Sequence, residues 1–367
     1  MTIDKVEHCA GCFLCAEVCP KKCISITYDK LGHSQPHIDV TSCVDCGACV
    51  KVCPEMSLVD KCTPLKVLAS WEKDELSREK SSSGGLATVL SRKVIEEGGV
   101  VYGCAFVQPF SFEHIRCVTI EELERLRGSK YVQSDTSKCW KSLRKDIKEG
   151  RKVLFIGTPC QVAAARKATK YAENLLTADL ICHGVPSVNM LKDSLPDSVF
   201  ALSFDSIAFR SSTNYHFSMK SDNVVVYDRK LSEDWYLKGF FTALYNRDSC
   251  YYCKYSSVKR SGDITLGDFW GVDESLIDTD KEKGLSLVMV NTNEGNKLID
   301  SVKNKVNIVE RPFDEAVAGN KPLSNPIPRK WSVRVFSTLY PHCGFKLSLF
   351  ASIPLIVIKN LLLKNSI

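Results

Sequence analysis

Cys9-Ala10-Gly11-Cys12-Phe13-Leu14-Cys15-Ala16-Glu17-Val18-Cys19-Pro20 recurs in pattern as Cys43-Val44-Asp45-Cys46-Gly47-Ala48-Cys49-Val50-Lys51-Val52-Cys53-Pro54. Both runs read Cys-x2-Cys-x2-Cys-x3-Cys-Pro. Three thiolates on one tight loop can hold three corners of a cubane iron–sulfur cluster, while the fourth, set apart, reaches across to the other cluster. The spacing therefore predicts two [4Fe-4S] clusters. One takes Cys9, Cys12, Cys15 and Cys53; the other takes Cys43, Cys46, Cys49 and Cys19. Each proline ends its run and turns the chain away. The competing readings are two zinc sites or a disulfide mesh, but a four-cysteine zinc site wants paired Cys-x2-Cys units rather than a three-plus-one order. The chemistry to which the doubled motif points is electron transfer.

Working outward, Ile24, Ile26, Ile38 and Val40 flank the loops and supply an apolar shell that keeps water from the clusters. Residues 1–62 thus resemble a bacterial two-cluster ferredoxin. A chain of 367 residues is too long for a ferredoxin alone, and its length suggests two or three domains with ample core. Its 18 cysteines would suggest disulfides in a small secreted protein, but the chain is large and opens Met1-Thr2-Ile3-Asp4-Lys5 without an apolar signal stretch. The expectation is a reducing, cytoplasmic setting. Beyond the eight cluster cysteines, most isolated ones are expected to be small buried hydrophobes.

The formal charge is +6, and two clusters with four thiolates each would bring about −4 more. Nothing in this favours nucleic-acid binding. From Ala316 to Ile367 there are Lys321, Arg329, Lys330, Arg334, Lys346, Lys359 and Lys364 and no acidic side chain, so the tail carries +7 and the remainder −1.

The body alternates strand and helix. Pro64 to Lys80 reads as a polar bridge; Ser81-Ser82-Ser83-Gly84-Gly85 opens a helix with Leu86, Val89, Leu90 and Val94 at helical spacing, stopped at Gly98-Gly99. A strand follows over Val100 to Val107 and a helix over Thr136 to Glu149. Lys152 to Ile156 is a short strand running into Gly157-Thr158-Pro159-Cys160-Gln161 and a helix through Ala163, Ala164 and Ala165. This is a strand, nucleotide-type loop and helix unit. Further strands are expected at Leu175 to Cys182, near Phe200 to Phe209, at His216 to Tyr227, at Asp263 to Leu266 and at Leu285 to Asn291, with a helix near Asp234 to Asn246.

Five segments carry a resemblance: Ser83-Gly84-Gly85-Leu86-Ala87-Thr88, Gly128-Ser129-Lys130-Tyr131-Val132-Gln133-Ser134, Gly157-Thr158-Pro159-Cys160-Gln161, Cys182-His183-Gly184-Val185-Pro186-Ser187 and Asp263-Ile264-Thr265-Leu266-Gly267-Asp268-Phe269-Trp270-Gly271. Together, from about Lys66 to Pro312, they resemble the beta subunit of coenzyme F-420 hydrogenases and dehydrogenases. The resemblance implies a bound FAD, iron–sulfur clusters, and hydride or electron exchange with a second substrate. A plant branch of that family reduces a chlorophyll derivative, so the fold does not name the molecule reduced. The expected fold class is a multidomain α+β/α/β chain: a ferredoxin-like dicluster domain (1–62), then an α/β flavin-binding body in two family parts (63–149 and 150–315), then a basic, apolar tail (316–367).

The residues make physical sense of a flavin. Glycine at Gly84, Gly85, Gly128 and Gly157 lets backbone amides approach a pyrophosphate, and the helix beginning near Gly85 offers it a positive end. Lys130 would neutralise the phosphate, with Ser129, Thr158, Gln161 and Asp268 completing the matched segments. Phe269 and Trp270 are either a stacking surface for the isoalloxazine or core. Cys160, Cys182, Cys250 and Cys253 are read as a third [4Fe-4S] site, against inert thiols, one zinc ion on all four, or a redox-active dithiol at Cys250 and Cys253. His183 is a candidate proton donor beside the flavin, or a satisfied structural histidine.

The function expected is an iron–sulfur flavoprotein oxidoreductase. Electrons would pass from a one-electron donor, such as ferredoxin or a partner subunit, through the clusters and FAD to a small organic acceptor. The alternatives are a non-catalytic electron-transfer subunit of a larger redox complex and a thiol–disulfide reductase. In the tail, Leu347 to Ile358 is almost wholly apolar and is followed by Lys359, Leu361, Leu362, Leu363 and Lys364. Pro354 and Lys359 interrupt it, so it reads as an interfacial anchor on the inner membrane surface or as a helix docked on the core or in a dimer interface.

Overall fold

A computed structural model describes residues 2–211 and 214–353. The N-terminal part is built around its two cluster loops. Gly11 and Asp45, and likewise Phe13 and Gly47, stand at matching motif positions, and all four have positive φ (67°, 47°, 60° and 68°). The same sharp backbone path is thus traced twice, each time running into a short helix, Leu14–Val18 or Ala48–Val52. An antiparallel hairpin, β1 (Ile24–Tyr28) and β2 (Ser34–Ile38), closes the lobe, with Ile24 opposite Ile38.

The body is one eight-stranded mixed sheet. Its strands are β3 (Lys66–Glu72), β4 (Val100–Val107), β5 (Ser111–Cys117), β6 (Val153–Gly157), β7 (Leu175–Leu180), β11 (Ile264–Asp268), β12 (Ser286–Val290) and β13 (Val306–Arg311), in the order β13-β3-β12-β11-β7-β6-β4-β5. β4, β6, β7 and β11 are successively parallel, and β3, antiparallel to β12, points the same way. Parallel strands are covered on both faces and so read as continuous apolar runs, such as Val153-Leu154-Phe155. The Leu86–Glu96 helix covers one face through Leu86, Leu90 and Val94; the Cys139–Lys148 and Pro159–Ala168 helices cover the other through Trp140, Leu143 and Val162. A second sheet, β8 (Ser206–Arg210), β9 (Tyr215–Ser221) and β10 (Val224–Lys230), stands apart.

Four expectations need correction. The segment Pro64 to Lys80 is not merely a polar bridge, since β3 lies inside the sheet between β13 and β12. Its Val67, Leu68, Ala69 and Trp71 are buried, and Ser70 donates to the Asn307 carbonyl (2.9 Å). The single strand expected over His216 to Tyr227 is a hairpin that turns at Asp222 and Asn223, both at positive φ, as short polar side chains allow. The region near Phe200 is a short helix, Asp197–Phe200, before β8 begins. The helix expected to run to Asn246 stops at Phe241, beyond which Ala243 is left-handed. Both stretches, 63–149 and 150–315, contribute strands to the one sheet.

At the C-terminus, the Trp331–Ser352 helix breaks at Gly344 and packs Phe336, Phe345 and Leu349 against a core that includes Tyr245. Up to Ile353 the tail is therefore docked; the apolar run that follows, with Lys359 and Lys364, lies outside the described residues. Among the described residues, no helix is long and apolar enough to cross a membrane.

One buried ion pair ties the sheet to the loop behind Cys253. Asp179 on β7 has no exposed surface; it accepts from Arg260 Nη2 (2.8 Å), Thr265 Oγ1 (2.7 Å) and the Gly262 amide (2.8 Å). Arg260 also exchanges backbone hydrogen bonds with Cys62, at the end of the ferredoxin lobe. Removing one partner of a buried pair strands the other charge, at a cost of roughly 3–5 kcal/mol. Asp179→Ala is expected to lose about that much stability in denaturant unfolding, whereas Glu294→Ala, which removes an exposed helical pair with Lys297, is expected to cost under about 0.5 kcal/mol.

Candidate functional site

The first thiol group is Cys9, Cys12, Cys15 and Cys53. Cys12, Cys15 and Cys53 are buried, and the thiols crowd one another: burial, then Cys9 and Cys53, push Cys15 up to about 12. Burial and its three neighbours raise Cys12 as well. Groups so reluctant to ionise alone suit a cluster whose irons supply the compensating cation. The second group, Cys19, Cys43, Cys46 and Cys49, lines one cavity with Ile24 and Ile38, and Cys46 is exposed. A fifth thiol, Cys23, also lines that cavity, with its Sγ 3.4 Å from that of Cys19. Nothing in the doubled motif marked it. The repeated loops and converging thiols fit two clusters.

Cys160, Cys182, Cys250 and Cys253 form a third group. Cys160 opens the helix after β6, Cys182 follows β7, and Cys250 lies on the short helix Asp248–Tyr251. Cys160, Cys182 and Cys253 each raise the pKa of others in the set, after burial: Cys182 is pushed up to about 11, with Cys253 acting on it, and Cys250 is raised by burial and then by Cys182, Cys253 and Cys160. The Gly184 amide donates to the Cys182 thiol (3.4 Å), two residues on. The same contact occurs in both ferredoxin loops, from Gly11 to Cys9 (3.3 Å) and from Asp45 to Cys43 (3.4 Å). Among the described residues, no three His, Cys, Asp or Glu side chains form a group that could hold a metal ion. That holds for the ferredoxin loops too, since the four irons of a cubane keep its thiols further apart than a single ion does. The third group adjoins the first: Tyr255 Oη donates to the Pro54 carbonyl (2.7 Å) and packs with Cys160 and Cys253.

Beside these thiols opens a cavity of about 520 Å³. Gly85, Gly128, Ser129, Lys130, Gly157, Thr158, Gln161, Cys182, His183 and Asp268 all line it, so all five matched segments meet there. Gly84 does not: a Cβ there would meet the Ser70 carbonyl at 2.4 Å and the Ser286 amide at 2.7 Å, so this glycine serves helix–sheet packing. Phe269 is buried in the core with Trp71 and Leu287, whereas Trp270 lines the cavity and is 44% exposed. Gly85 caps the Leu86–Glu96 helix at φ 87° with no side chain to close its first amides, which leaves a positive helix end facing the cavity.

Several lining groups are already engaged. Lys130 Nζ donates to the Arg127 carbonyl (2.5 Å), and burial lowers its pKa to about 8. Arg210 pairs with Asp268 (2.6 Å) and lies over the Tyr215 ring (5.0 Å). Tyr131 stacks on Phe240 at 4.6 Å, and both line the cavity. The His183 ring opens to the cavity; burial lowers its pKa, against the pull of Asp268. Gln161 frames the loop: its Oε1 accepts from the Thr158 amide (3.0 Å), and its Nε2 donates to Ser134 Oγ (2.9 Å). Ser134 in turn donates to His114 Nδ1 (2.9 Å), leaving His114 Nε2 to donate to the Ile156 carbonyl (3.0 Å). His114 and Arg210 were missed because they lie in no motif; Ser134 and Tyr131 lay within the matched Gly128–Ser134 segment.

The fold and the thiols define the class: a redox protein that transfers electrons through iron–sulfur clusters. A family model of the 4Fe-4S dicluster domain matches residues 8–56, and a model of the C terminus of the coenzyme F420 hydrogenase/dehydrogenase beta subunit matches residues 150–316. Over residues 150–316 the chain is thus similar to the C-terminal part of the beta subunits of coenzyme F420 hydrogenases and dehydrogenases, and residues 8–56 match a dicluster domain. No curated protein matches it. Among solved structures, a chain of the xenon-derivatised F420-reducing [NiFe] hydrogenase complex from Methanosarcina barkeri is 20% identical, with a TM-score of 0.49 over 71% of this chain and 86% of that one.

His114 is buried and stacked on Phe155 (5.0 Å), and burial lowers its pKa to about 4. The unfolded chain, with an ordinary value near 6.5, binds the proton that the folded chain refuses. Stability is therefore lost as pH falls from about 6.5 to about 4, by about 3 kcal/mol in full. Unfolding midpoints taken across that window are expected to fall less steeply in His114→Gln than in the unaltered protein.

Proposed function

We propose that this protein is an iron–sulfur flavoenzyme in which electrons pass from the ferredoxin clusters through a third [4Fe-4S] cluster on Cys160, Cys182, Cys250 and Cys253 to an FAD in the 520 Å³ cavity, and from there to a small organic acceptor. The single observation that carries this reading is Cys182, which belongs to the third thiol group and also lines the cavity. The cavity is within the usual range of about 300–1,000 Å³ for cofactor sites. It has an open helix end and Lys130 for a pyrophosphate, and Tyr131, Phe240 and Trp270 for a planar ring system. When bound, a flavin converts one-electron into two-electron transfer.

The roles of the chain's own residues follow. The Gly85, Gly128-Ser129 and Gly157-Thr158 backbones and Lys130 bind the phosphates; Gln161 holds the Thr158 loop in place; Tyr131, Phe240 and Trp270 exclude water from the ring end. His183, open to the cavity, would take up or give a proton beside the ring. Asp268, held by Arg210, lines the same cavity and acts on His183. An electron donor protein or partner subunit would supply the reducing equivalents at the second thiol group, where Cys46 is exposed. The alternative, a relay subunit without chemistry of its own, is favoured less because it has no use for a concave cavity with a histidine in it. A dithiol reductase wants a thiol of lowered pKa, and Cys250 has the opposite.

Two experiments test the reading. Cys250→Ser with Cys253→Ser is expected to lower iron content from about twelve to about eight per chain, with the ferredoxin signals intact; unchanged iron would remove the third cluster. FAD affinity is expected to weaken as pH rises from 7 to 9, because Lys130 gives up its charge near pH 8, and Lys130→Gln should flatten that dependence. Failure of FAD and FMN alike to bind the anaerobic protein would overturn the flavin assignment.

A further inference from the structure

Arg247 is among the largest fully buried side chains, at 1% exposure. Its Nε donates to Gln133 Oε1 (2.7 Å), its Nη1 to the Cys9 (3.1 Å) and Ser34 (2.8 Å) carbonyls, and its Nη2 to Ser34 Oγ (2.8 Å). Every one of these partners is neutral. Among the described residues, no carboxylate pairs with it. An unpaired buried cation is costly, and such charges are normally matched by an anion.

The match is the first cluster. Arg247 lies on the Cys9-Ala10-Gly11-Cys12 loop so closely that a Cβ on Gly11 would stand 2.4 Å from Nη2, so the loop is shaped to receive the guanidinium. A cubane with four thiolates carries about −2 when oxidised and about −3 when reduced, and a fixed cation in a dry interior favours the more negative state. The nearby Glu55 carboxylate opposes this, but it is itself raised by burial and faces Lys254 at 3.9 Å. Beside the second thiol group, the lining cation Lys21 is exposed, and its charge is screened by water and salt. The Arg247 amide, moreover, donates to the Val185 carbonyl (2.9 Å), in the loop that carries Cys182.

We propose that Arg247 is the built-in counter-charge of the first cluster and raises its reduction potential above that of the second, so that electrons entering at the exposed second cluster settle on the first. In that step, one electron leaves the second cluster, oxidising its core from 1+ to 2+, and enters the first, reducing its core from 2+ to 1+; no proton moves and no bond breaks. The proposal rests on the assignment of Cys9, Cys12, Cys15 and Cys53 to one cluster, and goes beyond the flavin reading without depending on it.

The test is an anaerobic redox titration of the cluster-loaded full chain followed by electron paramagnetic resonance. Each midpoint is assigned by the step that changes in Cys15→Ser (first cluster) or Cys46→Ser (second cluster). If neither variant changes a distinct step, the ligand assignment has failed and the Arg247 proposal falls with it. In Arg247→Gln, which keeps amide donors but not the charge, the exchange equilibrium between the two clusters is expected to move at least about tenfold toward the second, about 59 mV for one electron. Arg247→Lys, which keeps the charge but not the fork, should retain most of the original gap. An unshifted first-cluster midpoint in Arg247→Gln, equal shifts of both clusters, or a Lys variant as shifted as the Gln variant would each overturn the proposal. If Arg247→Gln cannot hold the first cluster's iron, loading of Arg247→Lys supports the charge requirement, and failure of both overturns it in favour of a purely mechanical anchor.

Discussion

Every candidate redox group in the body depends on one constraint: β3, β4, β6, β7 and β11 all point the same way. Loops leaving the carboxyl ends of codirectional strands arrive at a common edge, which is where open α/β sheets place their ligands. The loop after β3 brings the Ser81–Gly85 turn; those after β6, β7 and β11 bring Thr158 and Cys160, Cys182 and His183, and Trp270. Segments far apart in the chain thus become the walls of one cavity, and two of the four thiols in the third group come with them. The other two arrive on the loop that Asp179 and Arg260 fold back onto the sheet.

The second demand is electrostatic. Clusters are anions, and a protein interior solvates anions poorly. This chain meets the demand with backbone amides aimed at sulfur, seen at Cys9, Cys43 and Cys182, and with cations at the seams between its parts. Lys254 Nζ donates to the Glu55 carbonyl (2.7 Å), and Lys167 Nζ to Ser57 Oγ (3.0 Å), each joining the body to the segment behind Cys53.

Much of this was legible in the sequence, for identifiable reasons. A cluster loop is local: three ligands within seven residues declare themselves whatever the rest of the chain does. Strands β4, β6 and β7 were legible because short apolar runs such as Val153-Leu154-Phe155, rich in β-branched and aromatic residues and bounded by turn signals, read as buried strands. β3 was not, because Lys66-Val67-Leu68-Ala69-Ser70-Trp71-Glu72 is flanked by charges and its pairing with β12 and β13 is wholly non-local. Gly84 and Gly85 look alike in sequence, yet one meets the sheet backbone and the other opens to the cavity; only the packing separates them. His114 was silent because its role is set by Ser134 and Ile156, 20 and 42 residues away.

The seam between the ferredoxin lobe and the body bears on how the protein works. The Cys12 carbonyl accepts from Thr136 Oγ1 (2.8 Å) and from Trp140 Nε1 (2.7 Å), and Leu14 and Cys12 are buried in the same core as Trp140 and Phe155. A module on a flexible tether reaches its partner at an effective concentration in the millimolar range and must search for its orientation. Here the loop holding the first cluster's ligands is itself part of the body's core, so that search does not arise. In the proposed function, electron transfer between the lobes would consequently be governed by fixed distances and by the relative potentials of the groups, not by docking. In the proposed series the second thiol group, with Cys46 exposed at its mouth, is the end that faces solvent, where an electron donor would dock.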